Sequence, residues 1–443
     1  MKKSNLLKIA ATLLVCMLLF PLALTGCASK SAASTPASAA PSKDEAITLR
    51  ISCIPGVVAD MLRMNAEEFE KKNHNVTISI EEYPEDQYQN QAPMIFESSE
   101  SKPDLAWYWK QMWYNDMVDS GLFMNLDDLY TREKWEESLG KSALELYTSP
   151  DGHKYAVNHD MVWTPNLYYN IDAFKEAGVE VPKTMDELYA AAAKLKEKGY
   201  IPCAIGATSA VPGHLFNALL TRSVTDEQYV KLMDSTKKYD EINYESPEVV
   251  SVFDTVKKLT DEVFQEGCTG VDSLEAQSLF VQGKAAMYFD GSWAVANITE
   301  GVKDSFKVGV FQFPAILPEI GTPASTFIGD AMMILADTKY PELAQDFLAQ
   351  IMSKEMQSRV TEAKLAPPAR NDISEESLKK MGELYITMYA DMRANGAKPL
   401  WYMTQGAELT NKSYEIVSGV MSGAISSQDA AAQFQAVYDA SLE

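Results

Sequence analysis

The sequence lacks the residue patterns that most catalytic and metal-binding sites require. Its four histidines show no HExxH spacing, and it has no GxSxG elbow and no GxGxxG or GxxxxGK(S/T) phosphate loop. Basic residues are also scarce, because 39 lysines and arginines stand against 62 acidic residues and give a net charge of −23. We therefore expect no enzyme activity, no metal, no cofactor and no nucleic-acid partner, since phosphates are bound by basic side chains.

Cysteine is rare as well. The 443 residues include five cysteines and no CxxC pair, which argues against a zinc ribbon or a dithiol redox motif. Cys53 lies in an alternating strand pattern, where a small buried residue is expected. Whether Cys203 and Cys268 form a disulfide is left open by the sequence.

The one long apolar run is at the N-terminus and has the pattern of a signal peptide. Three lysines precede it, it covers residues 9–24, and it ends in small residues. The motif LTGC at residues 24–27 resembles a bacterial lipobox, which implies cleavage before Cys27 and attachment of lipid to that cysteine. Residues 1–26 are then the signal peptide, and residues 27–46, which are small and polar, form a flexible tether.

The rest of the chain has the patterns of an α/β protein that is long enough for two domains. Residues 48–80 alternate, then show helical spacing, then alternate again, which predicts a parallel strand–helix–strand unit. A further strand is predicted over residues 327–335, running through Gly329 and Asp330. Residues 374–441 are predicted to be helical, with a break near 396–399.

Residues 157–199 combine a strand with two well-signalled helices. Asn170 or Asp172 is predicted to cap the first helix, and Gly178 to end it. Thr184 and Glu187 have the spacing of a capping box for the second helix.

Several motifs carry a resemblance to a known family. YYN at residues 168–170, PKT followed by DEL at residues 182–188, and FVQGKAAMYFDGSW at residues 280–293 resemble the extracellular solute-binding proteins of bacterial ABC importers, in the sugar-binding group that includes maltose-binding protein. This resemblance implies a two-lobed periplasmic-binding-protein fold of type II, in which each lobe is a twisted sheet flanked by helices and three crossings form the hinge. It places lobe 1 at residues 47–158 and 330–368, and lobe 2 at residues 159–329 and 369–443.

Candidate ligand-binding residues follow from the chemistry of sugars. Aromatic rings stack on the apolar face of a sugar, and carboxylates accept hydrogen bonds from its hydroxyls. Such residues occur at predicted strand ends and crossings: Tyr108, Trp109, Asp160, Trp163, Asp290, Trp293 and Asp330. The resemblance adds Trp401, in the motif KPLWYM, because this tail region folds back on the cleft in the family. The resemblance adds that Trp293 occupies a position where the family commonly has a sugar-stacking tryptophan. Core packing remains the alternative for each aromatic residue, and a turn or cap role for each acid.

The function predicted from these observations is that of a lipid-anchored solute-binding protein at the outer face of the cell membrane. It would bind a mono- or oligosaccharide as a monomer and deliver it to ABC permease subunits. Two alternatives stay open at this point. One is a binding protein for another solute, such as a peptide, a polyamine or a modified sugar. The other is a secreted carbohydrate-active enzyme, because aromatic residues and acids would serve a glycosidase equally well.

Overall fold

Three β-sheets organise the computed structural model, which describes residues 46–98, 102–110, 114–164, 166–208, 210–321 and 325–442. The predicted signal peptide, Cys27 and nearly all of the predicted tether lie outside these residues. The strands are β1 (Ile47–Cys53), β2 (Val76–Glu82), β3 (Leu105–Trp109), β4 (Val157–Asn158), β5 (Val162–Thr164), β6 (Asn166–Asn170), β7 (Ile201–Ala204), β8 (Ala285–Asp290), β9 (Val308–Phe311), β10 (Ser325–Ile328), β11 (Asp330–Ile334) and β12 (Ala397–Pro399).

Helices flank the sheets. In chain order they are α1 (Val57–Lys72), α2 (Glu85–Glu97), α3 (Tyr114–Asp119), α4 (Asp127–Glu133), α5 (Trp135–Ser138), α6 (Lys141–Tyr147), α7 (Ile171–Ala177), α8 (Met185–Glu197), α9 (Val211–Leu220), α10 (Asp226–Met233), α11 (Pro247–Glu262), α12 (Ser273–Val281), α13 (Val295–Val302), α14 (Pro341–Ile351), α15 (Lys354–Glu362), α16 (Glu375–Lys380), α17 (Glu383–Asn395), α18 (Ala407–Ser422) and α19 (Ser427–Ser441).

The first sheet has the strand order β2-β1-β3-β11-β4, and the second has the order β7-β8-β6-β9. In the first, β1 pairs with β2 and β3 in parallel, whereas β11 runs antiparallel to β3 and β4. In the second, β6 lies antiparallel between β8 and β9. These two helix-flanked sheets form the two-lobed α/β architecture that the sequence predicts.

The predicted parallel unit at the N-terminal end of the body is confirmed. Leu49, Ile51 and Cys53 of β1 are fully buried, and Val58, Leu62 and Phe69 of α1 pack in the same core. Because both the strand and the helix turn their apolar face toward the same core, local periodicity was sufficient to predict this unit.

The helix caps in the second lobe were also predicted from local sequence. The side chain of Asn170 accepts hydrogen bonds from the backbone N–H groups of Asp172 and Ala173, both at 3.0 Å. Gly178 ends α7 with a φ of 64°, a conformation that glycine adopts without steric cost. Thr184 accepts from the N–H of Glu187 at 3.1 Å, but the Glu187 carboxylate binds the N–H of Lys183 and not that of Thr184.

The strand predicted over residues 327–335 is in fact two strands that belong to different sheets. The break falls at Gly329, between β10 and β11. The Tyr147 hydroxyl donates to the Gly329 carbonyl, and a Cβ on Gly329 would come within 2.9 Å of that hydroxyl oxygen. The chain therefore passes close to α6 at this point, which only a residue without a side chain allows.

A third sheet, in the order β12-β10-β5, was not anticipated from the sequence. β10 pairs antiparallel with β5 and parallel with β12. β12 occupies the break that was predicted within the C-terminal helices. It is only three residues long and has no alternating pattern, so its pairing with a distant strand defines it.

The cysteines in the described part of the chain are free thiols. Cys53, Cys203 and Cys268 are all buried, and burial raises the pKa of each thiol. Within the same residues, we found no helix with the length and apolar character needed to cross a membrane.

Candidate functional site

The candidate ligand site is built on strand ends that face each other from the two main sheets. Asp330 begins β11 and pairs with Trp109 at the end of β3, so both lie at one edge of the first sheet. Asp290 ends β8 and pairs with Asn166 at the edge of the second sheet. Loops and side chains at the carboxyl ends of strands commonly bind ligands in open α/β sheets.

Asp160 is brought to Asp330 by a crossing of the chain. The Asn158 amide donates to the backbone carbonyls of Asp160 and Asp330, at 2.6 and 3.0 Å. The N–H of His159 also donates to the Asp330 carbonyl, at 3.2 Å, and Asp160 forms an isolated bridge with Pro368. The chain segments at the predicted crossings, around Asp160, Asp330 and Pro368, therefore meet at this pair of acids.

The carboxyl groups of Asp160 and Asp330 are buried and have few hydrogen-bond partners among the described residues. Asp160 and Asp330 are 4 % and 7 % exposed, and within the described part of the chain one carboxyl oxygen of each has no hydrogen-bond partner. Burial raises the pKa of Asp160 to about 8. Burial, followed by the nearby charges of Asp160 and Glu85, raises the pKa of Asp330 well above its ordinary value. Each acid therefore holds a proton more tightly than an exposed carboxyl would.

Asp290 has a more complete set of partners on the opposite sheet. It accepts hydrogen bonds from the Tyr288 hydroxyl and from the Gly291 N–H at 2.8 Å, and the Trp293 side chain lies close enough to lower its pKa. Burial nevertheless raises its pKa to about 6, and Glu85 adds to the rise. Because Glu85 begins α2, its effect on Asp290 places the start of this helix near the end of β8.

Trp293 lies at the rim of this space. It belongs to a 3-10 turn, Ser292–Ala294, that follows β8, and its side chain is 37 % exposed. A Cβ placed on Gly291 would come within 2.1 Å of the indole, so the ring lies directly over that glycine. The other neighbour of the ring is His214, with centroids 5.4 Å apart, and His214 in turn stacks on Tyr402 at 5.9 Å. The result is an aromatic row with an accessible end.

The aromatic residues at the end of β3 are more buried. The Tyr108 side chain is fully buried, and its hydroxyl donates to the Gln89 carbonyl at 2.9 Å. Trp109 is 8 % exposed and meets Trp107 edge to face at 4.6 Å. Tyr108 thus has a packing role, whereas Trp109 is adjacent to Asp330. Trp163 pairs through its backbone with Phe327, and its side chain lies outside the described atoms.

Trp401 lies in the core of the helical part of the second lobe. It is 1 % exposed, and its indole N–H donates to the Tyr244 hydroxyl at 2.6 Å and to the Leu232 carbonyl at 3.2 Å. Phe216 and Phe434 pack against its ring, at 5.8 and 5.5 Å. With no free face and a satisfied N–H, Trp401 is placed as a core residue and not at the site.

The structure also adds residues that were not predicted. Glu85, His214 and Tyr402 lie at the site, and the Tyr385 hydroxyl donates to the Ser292 carbonyl at 3.1 Å, next to Trp293. Tyr385 is also close enough to Asp160 for that charge to raise its pKa. Local sequence gave no signal for these residues, because their positions depend on how distant helices pack.

A second concave surface lies beside the site, between α16 and α17. This groove has a volume of about 520 Å³. Its lining is mostly apolar and includes Leu378, Met381, Tyr385, Ile386 and Tyr389. It offers few groups that could bind sugar hydroxyls, whereas the space around Trp293 has several carboxylates. As to metals, no three His, Cys, Asp or Glu side chains of the described segments are grouped so that they could hold an ion.

The chain was compared with protein families, with characterised proteins and with solved structures. A probable sugar-binding periplasmic protein of Rhizobium meliloti is 26% identical over 333 residues, which cover 73% of this chain and 77% of that protein. The multiple sugar-binding protein of Streptococcus mutans is 23% identical over 380 residues, covering 81% and 84%. The structure of a chitin oligosaccharide binding protein superimposes with a TM-score of 0.77 at 19% identity, covering 89% of this chain and 98% of that one.

The structural likeness establishes that the fold is shared with two-lobed periplasmic binding proteins. The family comparison goes further, because the model of the bacterial extracellular solute-binding proteins matches residues 58–358. This match covers more than half of the chain, including all of the second sheet and every strand of the first sheet except β1. The chain is a member of the bacterial extracellular solute-binding protein family.

Proposed function

We propose that this protein captures a carbohydrate between its two lobes and delivers it to an ABC importer. The observation that carries the proposal is the partly exposed indole of Trp293 next to the buried carboxyl group of Asp290, together with the buried pair Asp160 and Asp330 at the crossings. Such an arrangement suits a sugar, because the indole stacks on its apolar face while the carboxyl groups bind its hydroxyls. The sugar-binding names of the relatives from Rhizobium meliloti and Streptococcus mutans support the same ligand class.

In this proposal the lobes comprise residues 47–158 with 330–368, and residues 159–329 with 369–443. The mechanism is closure of the lobes about the crossings near Asp160, Gly329 and Pro368. A ligand that contacts both lobes stabilises the closed state by its greater affinity for that state. Asp330 and Trp109 would contact it from one lobe, and Asp290 and Trp293 from the other. No bond in the ligand has to be made or broken.

A thermal-shift screen of mono- and oligosaccharides tests the proposal. A ligand present at about 100 times its Kd adds roughly 2.7 kcal/mol to the free energy of unfolding, so a true ligand should raise the melting temperature clearly. Small-angle scattering should then show a smaller radius of gyration with the ligand than without it. If no carbohydrate raises the melting temperature, or if product accumulates beyond the amount of protein, the proposal fails.

We further propose that Cys27 is the lipidated N-terminus of the mature protein and that residues 27–46 tether the body to the outer face of the membrane. The support is the LTGC motif that follows the apolar run. Replacing Cys27 with alanine should release the protein from the membrane fraction or leave an uncut precursor. An unchanged mature mass together with unchanged membrane fractionation would contradict this prediction. The permease partner and a monomeric state belong to the same proposal.

A further inference from the structure

We propose that the captured ligand carries a protonated amine, which binds the carboxyl groups of Asp160 and Asp330, so that the preferred carbohydrate is an amino sugar. This inference rests on the proposed function, because it names the substrate class of the same site.

The first observation is the pair of carboxyl oxygens without partners. Asp160 and Asp330 are each more than nine-tenths buried, and each has one oxygen, Oδ1, with no hydrogen-bond partner among the described residues. A buried acceptor without a donor is costly, and the cost is larger when the acceptor is charged. An ammonium group has three donors and a positive charge, so it would satisfy both oxygens at once.

The second observation is that the acids of the site outnumber its cations. Among the described residues, no lysine or arginine forms an ion pair with Asp160, Asp290 or Asp330. Glu85, the first residue of α2, adds a further acidic side chain near Asp290 and Asp330. His159 Nδ1 lies 3.7 Å from the Asp160 carboxylate, but burial lowers the pKa of this histidine to about 4. Burial lowers the pKa of His214 to about 4 as well. Both imidazoles are therefore neutral at pH 7.

The remaining titratable groups that face the acids are phenols, which are neutral at the same pH. Tyr147 of α6 and Tyr385 of α17 lie near Asp160, and Tyr402 lies near Asp330. Tyr288 donates its hydroxyl to Asp290. Among the described residues, the site therefore has no positive charge that would favour the ionised form of Asp160 and Asp330, whereas a bound ammonium group would.

Aromatic faces at the rim favour the same ligand. A cation is attracted to the face of an indole or phenol ring when it lies within about 6 Å of the ring centroid. Trp293 presents such a face with 37 % of its surface exposed. A sugar that carries an ammonium group can therefore stack its ring on Trp293 and place its charge among the acids.

The charge of the ligand determines how its affinity for the protein changes with pH. With its pKa raised to about 8, Asp160 is protonated in the free protein at neutral pH and must lose its proton to bind a cation. Affinity for an amine should therefore rise by at least about tenfold per pH unit between pH 5 and pH 7, and proton release should accompany binding. A neutral sugar that accepts a hydrogen bond from the protonated acid gives a nearly flat profile over this range, because an acid with a pKa of about 8 keeps its proton up to pH 7.

Three disaccharides with the same β-1,4 linkage separate these cases by calorimetry. They are the glucosamine dimer, the N-acetylglucosamine dimer and cellobiose, which differ at C2 by an amine, an acetamide or a hydroxyl. We expect the glucosamine dimer to bind at least tenfold more tightly than the other two at pH 7. Spermidine is the fourth probe, since it carries ammonium groups without a sugar ring.

Matched variants connect the preference to named residues. Asp160→Asn and Asp330→Asn keep the shape of the side chain, so we expect at least a tenfold loss of affinity for the glucosamine dimer and a flatter pH profile. Asp254→Asn removes the same charge from an exposed position on α11 and should change neither. The pH profile of the unmodified protein tests the inference even if a variant misfolds.

Each outcome has a distinct meaning. Equal or tighter binding of cellobiose, or an affinity for the glucosamine dimer that does not rise from pH 5 to pH 7, overturns the amine inference while carbohydrate capture stands. Binding of spermidine but of no sugar supports the ammonium site and contradicts carbohydrate capture. If neither the glucosamine dimer nor spermidine binds, the inference is wrong.

Discussion

Replacing Trp293 with alanine is expected to weaken ligand binding by about 30-fold or more and to leave the melting temperature of the free protein nearly unchanged. The indole is 37 % exposed and rests on Gly291 and His214, so few core contacts are lost with it. Central aromatic anchors in binding sites typically cost about 2 kcal/mol or more when they are truncated. Calorimetric affinity and the apo melting temperature should be measured on the same preparation.

A second variant tests the position of the ring without removing it. The backbone of Gly291 has a φ of −83°, which alanine tolerates, but the added Cβ would lie within 2.1 Å of the indole. Gly291→Ala should therefore displace the Trp293 ring and weaken binding as well. Normal affinity in Trp293→Ala, together with a large fall in melting temperature, would instead assign this tryptophan to the core.

Trp401→Ala is expected to have the opposite profile, with a loss of about 3–5 kcal/mol in the free energy of unfolding. The ring is 1 % exposed and packs against Phe216 and Phe434. Its removal leaves a cavity and takes the indole donor away from Tyr244 and Leu232. Denaturant unfolding of the free protein measures the effect, and the variant that remains folded should bind ligand with near-normal affinity.

Trp401→Phe is the matched control for this prediction. It keeps an aromatic ring in the core and removes the indole N–H, so the loss should be smaller, about 1–3 kcal/mol. Unchanged unfolding of Trp401→Ala with greatly weakened binding would show that this residue acts at the ligand site after all.

Trp293 and Trp401 differ in a property that their local sequence does not predict, the exposure of the side chain. Both were predicted as ligand contacts, one from DGSW after a strand and the other from KPLWYM in the tail. The short turn after β8 leaves Trp293 at an edge, where glycine provides room for the ring. Trp401 is instead enclosed by α9, α19 and the segment around Tyr244. Neither local pattern contains information about those distant partners.

At the crossings, local sequence likewise predicts the strands but not the sheets to which they belong. Residues 157–170 have one apolar and aromatic pattern, yet β4, β5 and β6 within them belong to three different sheets. A strand's sequence shows its alternation and not its partner, so the third sheet with β12 was missed. The acids near the predicted crossings were named from the sequence, but the proximity of Asp160 to Asp330 and the effect of Glu85 depend on pairing across the chain.

By itself, the sequence determined the features that short-range physics controls. The alternation in β1 and β2, the apolar face of α1, and the caps at Asn170 and Thr184 all depend on residues within one or two turns of each other. The tertiary structure alone decided which aromatic residues are exposed and which carboxyl groups share a buried space. Burial and electrostatic coupling depend on contacts between distant segments, and no local pattern encodes those distances.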